Sequence, residues 1–226
     1  LQKPVYTDYR EMIETETLDA VLINTPHALH CQQFCDCAAI GLAIMIEKPL
    51  CTTTEECDRM LESQQKYNVP AAVCHTQRFL SPVRFAKRYI EENYDQLGTL
   101  RHIADNINIH YFHEKRAAWF FDPALAGGGL LMTHGAHQID RVHYFCGKST
   151  DRVHANFELL PAYSGLDSGY QILGLSGEVS YTVTCSGYKT PHSSTMRLDF
   201  ENGSIVISLF ANGMDQEGVF VGKDDA

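Results

Sequence analysis

The sequence predicts an α/β chain: an incomplete doubly wound parallel sheet, then an α+β region on a large, mainly antiparallel open sheet. Three observations carry the prediction. Short, nearly all-apolar runs at residues 18–24, 42–47 and 71–74 alternate with helix-length segments, as in a parallel sheet with right-handed crossovers. Past residue 79 the pattern changes, and residues 179–186 alternate apolar with hydroxyl side chains, the mark of a strand with one wet face. Asn202-Gly203 sits between two apolar runs and signals a hairpin.

The elements follow in order. Thr7 or Asp8 caps a short first helix. Residues 18–24 form a strand expected to be covered on both faces, ending at Thr25-Pro26. A helix over 27–40 closes at Gly41. The next strand runs into Glu47-Lys48-Pro49, and Thr53 or Thr54 caps a helix reaching about Tyr67. Glu55 and Glu56 fall in its first turn, where the helix dipole favours acids. The third strand, 71–74, ends in His75-Thr76-Gln77-Arg78-Phe79, and the division between two domains, 1–79 and 80–226, is placed there. Ser81-Pro82 opens a helix to about Glu92, and a long strand covers 100–111. Residues 112–129 read as an aromatic, glycine-ended loop, and 130–145 as a helix stopped by Gly147. Strands follow at 153–159, 179–186, 196–201 and 204–210, and no closing element precedes Asp224-Asp225-Ala226.

Composition sets limits. Hydrophobic residues at 44% and charged residues at 20% suit a globular chain of 226 residues. Eighteen basic against 28 acidic residues give a net charge of -10, which argues against a nucleic acid or an anionic membrane as partner. No apolar run approaches the ~18 residues of a membrane helix. Eight cysteines without framework spacing read as reduced thiols of a cytoplasmic protein. Leu1 is not an initiator methionine, and a truncated chain is expected.

Three strand ends carry polar residues: Asn24-Thr25-Pro26, Glu47-Lys48-Pro49 and His75 to Arg78. Such ends lie along one edge of a parallel sheet, where ligands bind. Lys48 can donate to a substrate oxygen or a cofactor ribose; the plainer reading is a solvated loop lysine. Thr133 and His137 fall four apart and share a helix face. His137 can take a proton from a hydroxyl, with Asp140 orienting its other nitrogen; the plainer reading is a satisfied core histidine. Gly127-Gly128-Gly129 allows close backbone approach to a ligand, or is a flexible loop. Trp119 either floors a pocket or anchors its loop. His27, Cys31 and Cys35, with His30 and Cys37 near, have zinc-like spacing, as do His134, His137 and Asp140; free cysteine on a helix face also packs as a small hydrophobe, and no metal is assigned.

Taken together, Asn24-Thr25-Pro26, Glu47-Lys48-Pro49, Gln77-Arg78-Phe79, Trp119 with Phe121-Asp122-Pro123, and Gly127-Gly128-Gly129 through His137 and Asp140 fall in the order that resembles the Gfo/Idh/MocA oxidoreductases. The resemblance covers nearly the whole chain. It implies a Rossmann-type dinucleotide-binding domain, then a substrate-binding and oligomerisation domain. It implies NAD or NADP, and reversible oxidation of a hydroxyl on a sugar, polyol or related small molecule. It assigns Lys48 and His137 as catalytic. Asn24, Thr25, Pro26 and Glu47 become cofactor-binding with Lys48, and Gln77, Arg78 and Trp119 lie near the nicotinamide or the substrate. A substrate hydroxyl is expected to contact Lys48 and His137. The family often has an aspartate where this chain has Thr133; a threonine is no carboxylate base, so at this catalytic-position candidate either the proton work falls to His137 and Lys48 or the substrate class differs. The resemblance also implies a glycine-rich turn before residue 1 and strands after residue 226, making this chain a fragment, with a homo-oligomer through the C-terminal sheet. The first alternative is a non-catalytic binding or assembly protein, or an inactive fragment of this fold; a metal-dependent hydrolase ranks below it.

Overall fold

A computed structural model describes residues 3–163, 165–210 and 218–222, with Phe210 described by its backbone alone. The terminal 224–226 segment lies outside the described residues. The chain divides into two compact units, 1–74 and 75–226.

In the first unit, α1 (Tyr9–Thr15) is capped by the Asp8 carboxylate, which accepts from the Arg10 N–H. Three strands follow, β1 (Ala20–Ile23), β2 (Ala43–Ile46) and β3 (Ala71–Val73), in the parallel order β1-β2-β3. A 3₁₀ turn (His27–Leu29) leads into α2 (His30–Ala39), and α3 (Thr54–Tyr67) joins β2 to β3. Gly41 takes the predicted positive φ, +80°, after α2. Thr53 is the cap of α3: its hydroxyl accepts from the Glu56 N–H, while the Glu56 carboxylate accepts from the Thr52 N–H and hydroxyl.

The core joins Phe34, Cys37 and Ala38 of α2 and Met60 of α3 to Ile23, Ile44 and Ile46. The expected burial of β1 on both faces is not met, since Leu22 and, beside it, Met45 are exposed. The cause is handedness. Both crossovers step the same way along the sheet, so right-handed connections lay α2 and α3 on one face. The expectation of eight reduced thiols is also corrected: Cys51 and Cys57 form a disulfide with Cα atoms 6.0 Å apart, because the first turn of α3 folds back over the segment after β2.

The second unit carries a seven-stranded sheet in the order β10-β9-β8-β4-β7-β6-β5. Its strands are β4 (Leu100–Asn108), β5 (Arg152–Leu160), β6 (Leu166–Ser176), β7 (Val179–Ser186), β8 (Ser193–Phe200), β9 (Gly203–Phe210) and β10 (Gly218–Gly222). Among the described residues of this sheet only the β4–β7 pair is parallel. On β7, Tyr181, Val183 and Cys185 are buried and alternate with partly exposed hydroxyl residues, as their sequence pattern requires. The helices are α4 (Ser81–Glu92), with Pro82 in its first turn, the short α5 (Tyr94–Leu97) and α6 (Pro123–Ala126), and α7 (Ala136–Cys146). Val83 and Ala86 of α4 and Val142 and Phe145 of α7 complete a core with Ile103, Ile107, Val183, Leu198 and Ile207.

Three boundaries differ from the sequence reading. The run His75 to Phe79 belongs to the second unit, not the first, because its side chains bind α7. The β8–β9 hairpin forms, but Phe200 pairs with Gly203, so the loop is Glu201-Asn202 rather than Asn202-Gly203. The loop's N–H groups donate to Thr99 O and Leu97 O, which fixes the register from outside the hairpin. The single helix expected over 130–145 begins as a π-helical turn, Leu131–Gly135, before α7.

Candidate active site

In the first unit the parallel register places Ile23, Ile46 and Val73 side by side. The next residues, Asn24, Glu47 and Cys74, therefore stand at one level, tied by Glu47 N–H to Ile23 O (2.9 Å) and Cys74 N–H to Ile46 O (2.8 Å). This is the carboxyl edge of the sheet, where open α/β sheets bind ligands. Lys48 follows on the central strand. Its N–H donates to the Glu47 carboxylate at 3.2 Å, and the Lys48–Pro49 peptide is cis. The Thr25 hydroxyl donates to Gln33 Oε1 at 2.7 Å. Burial, and then the nearby Glu47 charge, push the Cys74 thiol up, which keeps that end neutral.

His30, weighed only as a possible metal neighbour, joins two of these ends. Its ring is fully buried, with Nδ1 2.9 Å from Pro49 O and Nε2 3.0 Å from Thr25 O. The thiol of Cys31 points to Glu56 O and that of Cys35 to Arg59 O. Among the described residues no group of three or more His, Cys, Asp or Glu side chains is arranged to hold a metal ion.

In the second unit α7 and the turn before it organise the polar residues. Thr133 and His137 are both buried. The π turn between them breaks the simple i, i+4 face expected of an unbroken helix, a distortion common at functional sites. The Thr133 hydroxyl donates to Gly129 O at 2.9 Å and lies 2.8 Å from the Tyr111 hydroxyl. The strand expected to reach Tyr111 ends at Asn108, and Tyr111, beyond it, joins this cluster without any local sequence signal. It is fully buried, its ring is 5.9 Å from the His134 ring, and the Arg116 guanidinium lies over it at 3.9 Å. Burial raises the Tyr111 phenol and lowers the Arg116 guanidinium. Trp119 is half-buried and stacks on Phe120 at 3.7 Å.

Asp140 was expected to orient His137. Its oxygens accept from Arg78 at 2.8 and 2.5 Å, and His75 Nδ1 lies 3.6 Å away, so the carboxylate anchors the 75–79 turn onto α7. Gln77 Oε1 accepts from Arg141, one residue along the same helix. The glycine run also has a different use from close approach to a ligand. Gly129 N–H and Leu131 N–H donate to the Asp167 carboxylate at 2.7 and 2.6 Å, and a Cβ on Gly129 would stand 2.2 Å from the Asp167 carbonyl oxygen. The close approach is to β6.

Residues 1–75 match the profile described as the oxidoreductase family, NAD-binding Rossmann fold, and residues 83–206 match the GFO/IDH/MocA C-terminal domain. The chain belongs to the GFO/IDH/MocA family. It is 29% identical over 144 residues to levoglucosan dehydrogenase of Pseudarthrobacter phenanthrenivorans, covering 63% of this chain and 36% of that protein. It is 25% identical over 226 residues to inositol 2-dehydrogenase 2 of Saccharopolyspora erythraea, covering 97% of this chain and 56% of that one. The chain thus spans about half or less of the length of such relatives. Among solved structures, levoglucosan dehydrogenase in complex with NADH and levoglucosan aligns with a TM-score of 0.81 at 22% identity, covering 97% of this chain and 64% of the other. Aldose-aldose oxidoreductase from Caulobacter crescentus aligns at 0.82 and 20% identity, covering 95% and 63%. These likenesses carry the fold.

Proposed function

We propose that the chain is the nicotinamide-side portion of an NAD- or NADP-dependent oxidoreductase acting on a hydroxyl or carbonyl of a sugar, polyol or related small molecule. The observation that carries this reading is Lys48 at the carboxyl end of the middle parallel strand, inside the segment that matches an NAD-binding profile. The donor set fits a nicotinamide ribose: Thr25, Glu47 and Lys48 follow in-register strand ends, with Asn24 and Pro26 beside them. Gln77, Arg78 and Trp119 are assigned to the nicotinamide or the substrate. Bound NAD or NADP supplies the hydride acceptor or donor. The chain's own residues handle the proton. The Lys48 ammonium donates a hydrogen bond to the substrate oxygen, and His137 takes the hydroxyl proton in oxidation and returns it in reduction. The Thr133 hydroxyl cannot act as a base at neutral pH, and it lies 2.8 Å from the Tyr111 hydroxyl.

NADH titration followed by ligand fluorescence, and turnover on a panel of sugars and polyols, test the reading. Lys48→Ala and His137→Ala should each lower kcat by about 10²–10⁴, and NADH should still bind the His137 variant. Turnover retained by both variants rules the assignment out, and binding without turnover in the parent favours a non-catalytic role.

The same reading includes a cytoplasmic setting, where NAD(P)-linked sugar oxidation has its cofactor pool, and a homo-oligomer formed by the second unit's sheet. Asn106, Thr182, Thr184 and Arg197 occupy the face of that sheet opposite the core side chains, a face rich in hydrogen-bonding groups. Light scattering that returns a monomer mass rules out the oligomer. No described helix is long and apolar enough to cross a membrane.

A further inference from the structure

A cleft of about 720 Å³ opens at one end of the second unit's sheet, between the segment after β4, the β5–β6 turn and the β7–β8 loop. Its floor is aromatic. The Phe112 ring stacks on Tyr163 at 4.7 Å and on Phe121 at 6.0 Å, and Phe121 lies 5.1 Å from Tyr163. All three rings are only half-buried, so the cluster is not closed core; it borders open space. The rim is basic. Lys115 and Lys189 are exposed at the cleft, His110 and His113 pack edge-on at 5.8 Å beside them, and among the described residues lining it Glu114 is the one carboxylate. In a chain of net charge -10, a cleft with two lysines and a single acid is a local reversal of sign. The volume falls within the ~300–1,000 Å³ range of small-ligand sites.

We propose that this cleft is a subsite for a sugar ring carrying an anionic group. The apolar C–H face of a pyranose lies against the aromatic floor, and its carboxylate or phosphate meets Lys115 and Lys189. The cleft adjoins the buried Tyr111–Thr133 pair of the same unit: Phe112 packs edge-on against Tyr111 at 5.0 Å, and the Tyr111 hydroxyl reaches Thr133. Taking the ligand as a sugar rests on the oxidoreductase reading; the preference for an anion rests on the cleft alone.

The test is calorimetric titration of the protein with D-glucose, D-glucuronate and D-glucose 6-phosphate, repeated with Lys115→Gln, Lys189→Gln and the double variant. At least one anionic sugar should bind more tightly than glucose, and the double variant should weaken it by about tenfold while leaving glucose unchanged. A preference for glucuronate marks a carboxylate site and one for glucose 6-phosphate a phosphate site. Equal affinity for all three sugars, or an anion affinity that the double variant leaves within about twofold, overturns the proposal. Binding is read without turnover. A protein that binds anionic sugars through these lysines but oxidises nothing would sink the oxidoreductase reading and leave this one standing.

Discussion

Arg141 and Asp105 meet as a bidentate ion pair, at 2.8 and 2.7 Å, with neither side chain exposed to solvent. The pair fastens α7 to β4, and Gln138 adds to it, donating to Asp105 at 2.7 Å and accepting from Tyr170. A buried charge that loses its partner is more costly than no charge at all. Arg141→Met or Asp105→Ala should each destabilise the second unit by about 3–5 kcal/mol, and Arg141→Met with Asp105→Leu should recover much of the loss. Urea unfolding measures all three. If a single variant unfolds at the parent midpoint, the pair does not hold α7 in place.

Gly128 and Gly129 are neighbours with different constraints. A Cβ on Gly129 would come 2.2 Å from the Asp167 carbonyl oxygen and 2.8 Å from its nitrogen, both backbone atoms of β6. On Gly128 it would meet Met132 Cγ at 2.6 Å, part of a flexible side chain that can turn away. Gly129→Ala should therefore cost about 1–3 kcal/mol or more, and Gly128→Ala well under that. Equal melting temperatures for the two variants would contradict the packing described.

Much of this was readable from the residues. Apolar runs gave the strands, Thr53 and Gly41 marked helix ends, and Glu47-Lys48-Pro49 marked the sheet edge, because each depends on local chemistry. What was hidden depends on partners distant in sequence. His30 looks like any helical histidine until Thr25 O and Pro49 O are seen on its two nitrogens. Asp140 gives no local sign that Arg78, 62 residues away, binds both its oxygens. The strand β6 has no clear apolar alternation, because glycines interrupt its pattern. One of them, Gly174, lies where a Cβ would stand 2.0 Å from the Tyr181 ring.

The start of α3 should give stability a pH dependence. Burial works against the Glu56 charge, but hydrogen bonds from the Thr52 hydroxyl and N–H prevail and hold its carboxyl below the ordinary value of 4.5. A carboxyl held low binds fewer protons when folded than when unfolded, so stability rises with pH across this range. The contribution is whole above the ordinary glutamate value and is lost as pH falls through the folded one. At pH ~7, Glu56→Gln should cost roughly 0.5–1 kcal/mol, allowing for solvent screening at this partly exposed site. Near pH ~3 the gap between parent and variant should close. Denaturant melts at both pH values measure it, and a gap that persists at the acid end would leave the cap without an ionic part.

His30 ties the segment that carries Lys48 to the end of the neighbouring strand. Its two nitrogens face two carbonyl oxygens, Pro49 O and Thr25 O, one of which takes the single N–H of a neutral imidazole, and a fully buried side chain cannot exchange that bond for water. His30→Leu keeps an apolar side chain in the space but leaves both carbonyls without the ring. The expected loss is about 1–3 kcal/mol of stability. If Lys48 acts on the substrate oxygen, its position must suffer too, since Pro49 directly follows it. The variant should then lower kcat by about tenfold or more with a smaller change in KM, the signature of a misplaced catalytic group rather than a lost binding contact. Measured on folded protein below the variant's melting temperature, an unchanged kcat would separate His30 from the chemistry and leave it a purely structural tie.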